Sequence, residues 1–177
     1  MVLNSMAHLM EMTETDCQYI CMPLFHAMGL LLQVLSSLIT GSKVFCVERF
    51  SPNRWLDEIR SCKATVTNAL GVIPEIISRT PETANDRDHN LRTVAAVPIA
   101  AEWGEAMEDR FGFKFRQLYA MTEISAVCCT KPDDPLLPGM AGHVQDDFFD
   151  VQIFNTETDS PLPQGEIGEI VVRPKVP

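Results

Sequence analysis

The sequence predicts an α/β fold: a mostly parallel sheet with flanking helices, ending in a short antiparallel β segment. Three observations carry that expectation. Short β-rich runs alternate with apolar-periodic runs of helix length, as strand–helix–strand crossovers require. Proline and glycine stand at the joints between them. Towards the C-terminus the pattern changes to two alternating strand-like runs around a turn-rich stretch, which suits an antiparallel hairpin or a small barrel segment. The expected division is an α/β sheet region over residues 1–135 and a β-rich segment over 136–177. A chain of 177 residues with 46% hydrophobic content can bury one core, not two.

"CQYICM", Cys17 to Met22, is a short apolar run stopped by Pro23, so it predicts a strand and a turn. The apolar run Ala27 to Ile39 has helix length and ends before Gly41, a helix C-cap leading into the next strand. "KVFCVE", Lys43 to Glu48, has the β-branched and aromatic content of a strand. "SPNRWLDEIRS" starts a helix with Ser51 as N-cap and Pro52 at the first helical position. "ATVTNAL", Ala64 to Leu70, reads as a strand, and "VIPEIISRT" as a helix with Pro74 near its start. After the polar linker "TPETANDRDHN" the unit repeats: "TVAAVPIA" as strand and turn, "AEWGEAMEDRF" as amphipathic helix, "KFRQLY" as a strand arriving at Tyr119. "DDFFDVQIFN" and "GEIGEIVVRP" are the two terminal strand-like runs. Trp55 and Trp103 occupy helical positions that suit core packing.

Charge and cysteine content narrow the function. With 24 acidic against 14 basic residues and a net charge of −10, a nucleic-acid or anionic-membrane surface is not expected. A small anionic ligand remains compatible, because backbone N–H groups and a bound metal ion can receive phosphates without net positive charge. The six cysteines lie mostly in apolar stretches and read as reduced, buried thiols of a cytoplasmic protein. Neither zinc-ligand spacing nor a membrane span is expected, since the run from Ala27 is short and carries Gln33, Ser36 and Ser37. Cys128 and Cys129 have no histidine near in sequence, and Asp146 and Asp147 read as a solvated turn.

"QLYAMTEIS", Gln117 to Ser125, is the stretch richest in chemistry. In a parallel sheet ligands collect at the carboxyl ends of the strands, where Tyr119 to Glu123 is expected. A tyrosine ring can flank a flat heterocycle, a threonine hydroxyl can hold a phosphate oxygen, and a glutamate can ligate a divalent cation. The plainer alternative is a strand end followed by a helix capped by Thr122.

"YAMTE" resembles the Tyr-Gly-Met/Leu-Thr-Glu signature of the acyl-adenylate-forming superfamily, which includes acyl-CoA synthetases, luciferases and adenylation domains. "MPLFHAMGL" before it is similar to the family's Pro-Leu-Phe-His-x-x-Gly segment, and "PLPQGEIGEIVVR" after it to Leu-Pro-x-Gly-Glu-x-Gly-Glu-Ile/Leu. The wording around Phe45 to Glu75 resembles the crotonobetaine/carnitine-CoA ligase branch. The resemblance implies a partial N-terminal domain of an adenylate-forming enzyme that activates a small carboxylic acid with ATP and Mg2+ and transfers the acyl group to CoA. It implies Tyr119 against the adenine, Ala120 and Met121 beside it, Thr122 on the α-phosphate and Glu123 on Mg2+. "AAVP", Ala95 to Pro98, stands where the family has Gly-Gly-Ala-Pro, so Ala96, Val97 and Pro98 would line adenine and acyl group. His26 would stand at the mouth of the acyl pocket and gate between the two half-reactions; as plain structure it is a hydrogen-bonded histidine at a strand end. Gly71 would border the acyl pocket, or is simply a turn glycine.

Ala120 and "AAVP" depart from the family's glycines, and each added methyl narrows a place of close backbone approach. The family's Ser/Thr/Gly-rich phosphate loop ending in Pro-Lys-Gly does not precede Val2, and its Thr-Gly-Asp motif and catalytic lysine do not follow. The expectation is therefore the central part of the catalytic unit: inactive by itself, exposing strand edges through which copies associate into a homo-oligomer. The alternative is a non-catalytic remnant that binds a small molecule or itself. A hydrolase has no G-x-S-x-G elbow in its favour.

Overall fold

The computed structural model describes residues 2–137 and 139–175. Seven strands form one sheet in the order β2-β1-β3-β4-β5-β6-β7. The first five, β1 (Cys17–Ile20), β2 (Lys43–Cys46), β3 (Val66–Leu70), β4 (Thr93–Val97) and β5 (Lys114–Met121), are parallel. β1 is buried along its whole length, as its continuous apolar run requires of an interior parallel strand, whereas β2 is the exposed edge. β6 (Ser125–Cys129) and β7 (His143–Val144) extend the sheet antiparallel. Sequence reasoning assigned them no strands. A second sheet, β10-β8-β9, has β8 (Phe149–Asn155) between β9 (Ser160–Pro161) and β10 (Glu169–Pro174), all antiparallel. The expected terminal hairpin is thus β8–β10.

Helices cover both faces of the large sheet. On one side α3 (Pro52–Cys62), α4 (Val72–Ser78) and α5 (Gly104–Phe111) bury Trp55, Ile59, Ile77, Met107 and Phe111 against Tyr19, Val94, Ala96 and Phe115. Trp55 is in that core and Trp103 packs at its border. On the other side α1 (Val2–Leu9) and the segment after β1 bury Met6, Met10 and Leu32 against Val66, Ala95 and Leu118. The helix α1 has no counterpart among the sequence-based expectations.

Local signals acted as their chemistry dictates. Ser51 is the N-cap of α3 with extended backbone and Pro52 follows at the first helical position, although the Ser51 hydroxyl makes no capping bond. Gly41 ends α2 (Ser36–Thr40) in left-handed conformation, φ 73°, and β2 follows. One element differs in kind. The expected helix from Ala27 to Ile39 is a π-helix over Met28–Leu35 that runs on into α2. An almost wholly apolar run has no polar stripe to reveal the width of its turns, so periodicity cannot tell the two helices apart. Tertiary contacts decide here. Gln33 is fully buried and donates through Nε2 to the Tyr19 carbonyl at 3.1 Å, and Gly29 lies so close to the preceding turn that a Cβ would sit 2.5 Å from the Pro23 carbonyl oxygen. Gly29→Ala is accordingly expected to cost about 1–3 kcal/mol in a denaturant melt through overpacking against rigid backbone.

Two arginine clusters tie loops to the sheet. Arg92 donates to the Met10 and Glu11 carbonyls and to both oxygens of Asp16, which joins the end of α1 to the start of β4. Arg110 on α5 donates to Asp86 at 2.6 Å and to the carbonyls of Thr80 and Pro81, which fastens the polar linker ahead of β4. The six cysteines are free. Cys46 corrects the expectation of buried thiols: it is exposed on the edge strand, where β2 has a neighbouring strand along one edge only.

Candidate functional site

The parallel strands β1, β3, β4 and β5 all point their carboxyl ends at one cleft of about 470 Å³. One wall is the turn and π-helix after β1, with His26, Met28, Leu31 and Leu32. The floor comes from the last residues of the strands: Leu70 of β3, Val97 of β4, Leu118 and Ala120 of β5. The other wall is the β5–β6 turn, Met121 to Ser125, and Phe149 of β8 with Pro174 of β10 close it from the small sheet. Residues far apart in the chain meet there because the crossovers return the first five strands in the same direction.

The "YAMTE" stretch does not begin a helix. β5 continues to Met121, Thr122 to Ile124 turn, and β6 returns antiparallel with Met121 opposite Ser125. The reading of Thr122 as a helix N-cap is therefore overturned: the buried run Ser125–Cys129 pairs with β5 instead of starting a helix. The turn holds Thr122 and Glu123 exposed on the cleft wall. Among the described residues Glu123 takes part in no ion pair, so its carboxylate is free to meet a cation.

The predicted residues separate into two groups. His26, Val97, Ala120, Met121, Thr122 and Glu123 share the cleft. His26 is exposed there, and its Nδ1 accepts the Met28 N–H at 3.1 Å, which orients the ring and leaves Nε2 outward. Tyr119, Ala96, Pro98 and Gly71 are not on the cleft wall. Tyr119 is half-buried and packs with Val127, Cys128 and Phe149 on the side towards the small sheet. Ala96 points into the core beneath α3 to α5, because adjacent residues of a strand face opposite ways and Val97 takes the cleft side. Pro98 is exposed beyond the end of β4. Gly71 joins β3 to α4 at φ 59°, ψ −121°, and donates its N–H to the Val97 carbonyl at 2.9 Å. That backbone conformation calls for glycine whatever the neighbouring ligand.

Sequence reasoning missed Ser125. It is 9% exposed, sits at φ 66°, lines the cleft, and its hydroxyl is buried without a partner. A strained backbone and an unsatisfied hydroxyl each cost free energy, and their coincidence at a cleft makes Ser125 a candidate for a functional position. Only its place one residue beyond the turn hinted at it. Cys128 and Cys129 lie behind the turn in β6; burial pushes the Cys129 thiol up to about 11, and neither is a thiolate at neutral pH.

A mostly parallel sheet whose strand ends and one tight turn carry a Thr-Glu pair beside an apolar cleft defines an α/β protein with its candidate site at the carboxyl ends of the strands. The model of the family described as AMP-binding enzyme matches residues 1–175, and the chain belongs to that family. Crotonobetaine/carnitine–CoA ligase of Salmonella typhi is 29% identical over 162 residues, which are 90% of this chain and 31% of the relative. The structure of O-succinylbenzoate coenzyme A synthetase (MenE) from Bacillus subtilis, in complex with ATP and magnesium ion, matches with TM-score 0.79 and 26% identity, covering 97% of this chain and 35% of that one. Apo MatB from Rhodopseudomonas palustris shares the fold at TM-score 0.83 and 21% identity, covering 97% and 34%. The chain thus spans about a third of the length of the proteins it matches. Among the described residues no helix is long and apolar enough to cross a membrane.

Proposed function

We propose that this chain is the central part of the large N-terminal domain of an AMP-forming acyl-CoA synthetase, which activates a carboxylic acid with ATP and passes the acyl group to CoA. The observation that carries this is the single cleft in which the turn Thr122–Glu123 faces His26, two segments distant in sequence. The expected boundaries, α/β sheet over 1–135 and β-rich over 136–177, accompany the proposal.

The residues present fit the ligands this reaction needs. Glu123 offers an exposed carboxylate without an ion pair, and Thr122 an exposed hydroxyl beside it. Among the described residues no three acidic, histidine or cysteine side chains gather into a metal site, so Mg2+ held by Glu123 would take its remaining ligands from ATP phosphates and water. Bound there, Mg2+ would neutralise charge on the phosphates as pyrophosphate departs. Thr122 holds an α-phosphate oxygen, Ala120 and Met121 of the cleft wall border the adenine with Tyr119 packed behind them towards the small sheet, and Val97 and His26 border the acid. Positioning of this kind is how a protein lowers the barrier of a displacement at phosphorus. His26, oriented through Nδ1 and exposed at the mouth, is placed to gate access of the thiol of CoA.

Calorimetric titration of the chain with AMP and with Mg·ATP tests the reading. Heat that disappears in Thr122→Ala, an exposed residue of the cleft wall, supports it; a folded chain with no heat for either nucleotide favours the non-catalytic remnant. The six free thiols support a reducing, cytoplasmic setting. The open edge of β2 and exposed Phe25 and Ile167, 94% and 100% accessible, support self-association of the isolated chain. Sedimentation at rising concentration is expected to show species larger than the monomer; a clean monomer throughout would refute this.

A further inference from the structure

The amino ends of the strands, opposite the cleft, hold a pair of thiols that the proposed reaction does not use. Cys17 opens β1 and is 6% exposed, whereas Cys62 is the last residue of α3 and half-buried. The Tyr19 hydroxyl donates to Glu58 Oε2 at 2.7 Å and so fixes where the helix lies on the strand. From that contact Cys17 lies two residues back along β1 on the same face, about 7 Å away. Cys62 lies four residues on along the same side of α3, about 6 Å away. The helix joins two parallel strands and runs against their direction, so the two steps lead to the same place. There the thiols come within hydrogen-bonding contact of each other.

Backbone bonds hold both partners in place. Thr65, three residues after Cys62, donates its N–H to the Cys17 carbonyl at 2.9 Å, and its Oγ1 accepts the Cys17 N–H at 3.0 Å. Lys63 turns the chain between them in left-handed conformation, φ 54°. A thiol pair held in this way has already given up the freedom that closing a disulfide would cost, which favours an intramolecular step between them. Burial pushes the Cys62 thiol up to about 11, so its first reaction is slow at neutral pH, and proximity rather than acidity distinguishes the pair.

We propose that Cys17 and Cys62 are an oxidisable dithiol, which a low-molecular-weight disulfide converts into an intramolecular disulfide that fastens α3 to β1. The Cys62 thiol, half-buried and so the more accessible of the two, loses its proton to water and attacks one sulfur of the reagent. A mixed disulfide forms and one reduced thiol of the reagent leaves. The Cys17 sulfur, its proton also passed to water, then attacks the Cys62 sulfur, and the second reduced thiol leaves as the bond to the reagent breaks. Two electrons have passed from the protein's thiols to the reagent. The stretch between Cys17 and Cys62 carries His26, Met28, Leu31 and Leu32 of the cleft wall, so the link ties down both ends of the segment that builds it.

Oxidised glutathione, incubated with the folded chain, is the probe. Peptide mapping by mass spectrometry without reduction is expected to show the Cys17 and Cys62 peptides joined and lighter by two hydrogens. Tm is expected to rise by roughly 4–16 °C and to fall back on addition of dithiothreitol. Cys62→Ser is expected to lose both the link and the rise, while Cys46→Ser, a change at the exposed edge strand, is expected to keep both. Cys17→Ala removes the second step, so glutathione should then remain on Cys62. Glutathione kept on Cys62 of the unaltered chain with no bond to Cys17, a link to another cysteine in its place, or a link that forms only in denaturant overturns the proposal. A Tm that the link lowers or leaves unchanged overturns it as well, as does a rise that Cys62→Ser retains.

Discussion

Replacement of Glu123 by alanine is expected to weaken Mg2+-dependent binding of ATP on the order of 100-fold while leaving AMP binding in the absence of metal nearly unchanged. The carboxylate stands exposed on a tight turn, and among the described residues it has no ion-pair partner whose loss would confuse the result. Surface changes of that kind move stability by no more than about 0.5 kcal/mol, so a large effect on ATP has to come from the ligand side. Glu123→Gln keeps the shape and removes the charge, and it should behave like the alanine variant if the role is metal binding. Calorimetry with and without Mg2+ reads both. Equal loss of AMP and ATP affinity would instead mean that the turn holds the nucleotide by shape, and metal ligation by Glu123 would be wrong.

Arg110→Ala is expected to destabilise the fold by about 3 kcal/mol, the low end for breaking a buried ion pair, because this one lies under a surface linker. Its guanidinium meets Asp86 and the carbonyls of Thr80 and Pro81, and lies over the Phe111 ring at 4.5 Å. The alanine leaves Asp86 buried, with only its bonds from Thr83 to compensate. For a chain of this size such a loss lowers Tm by roughly 6–12 °C. The linker leads into β4, which carries Val97 to the cleft, so the same variant should also loosen ligand binding. Burial by itself would raise the Asp86 carboxyl, but hydrogen bonds from Thr83 and Arg110 outweigh it and hold the group below the usual carboxylate range. A carboxyl depressed in the folded state contributes stability that is complete above its unfolded value, about 3.9, and is lost as pH falls through the lower folded value. Asp86→Asn should flatten that acid limb of the stability profile. An unchanged limb would mean that other carboxylates govern acid unfolding.

Much of this architecture was legible in the residues. Pro23, Gly41, Ser51 and Pro52 mark joints that the structure places where local stereochemistry puts them. The alternation of strand and helix signals was enough for a parallel sheet, and the "YAMTE" turn does stand at the end of its fifth strand. The antiparallel return of β6 was not legible. Ser125–Cys129 is buried on both faces, and an apolar run of five residues shows no period that separates strand from helix. The widened turns over Met28–Leu35 escaped for the same reason.

By itself, then, the sequence determined the elements whose ends carry special chemistry, the family, and the residue types available for a nucleotide, a cation and an acid. The tertiary structure alone decided which of those residues share a surface. Val97 faces the cleft while Ala96 faces the opposite core, and Ser125 became a site residue only when the β5–β6 turn buried its hydroxyl beside Thr122 and Glu123. The reason is that propensity and periodicity report each residue's own backbone and burial, whereas a site is a meeting of strand ends set by sheet order and register. Those are long-range pairings, and no local stretch of the chain contains them.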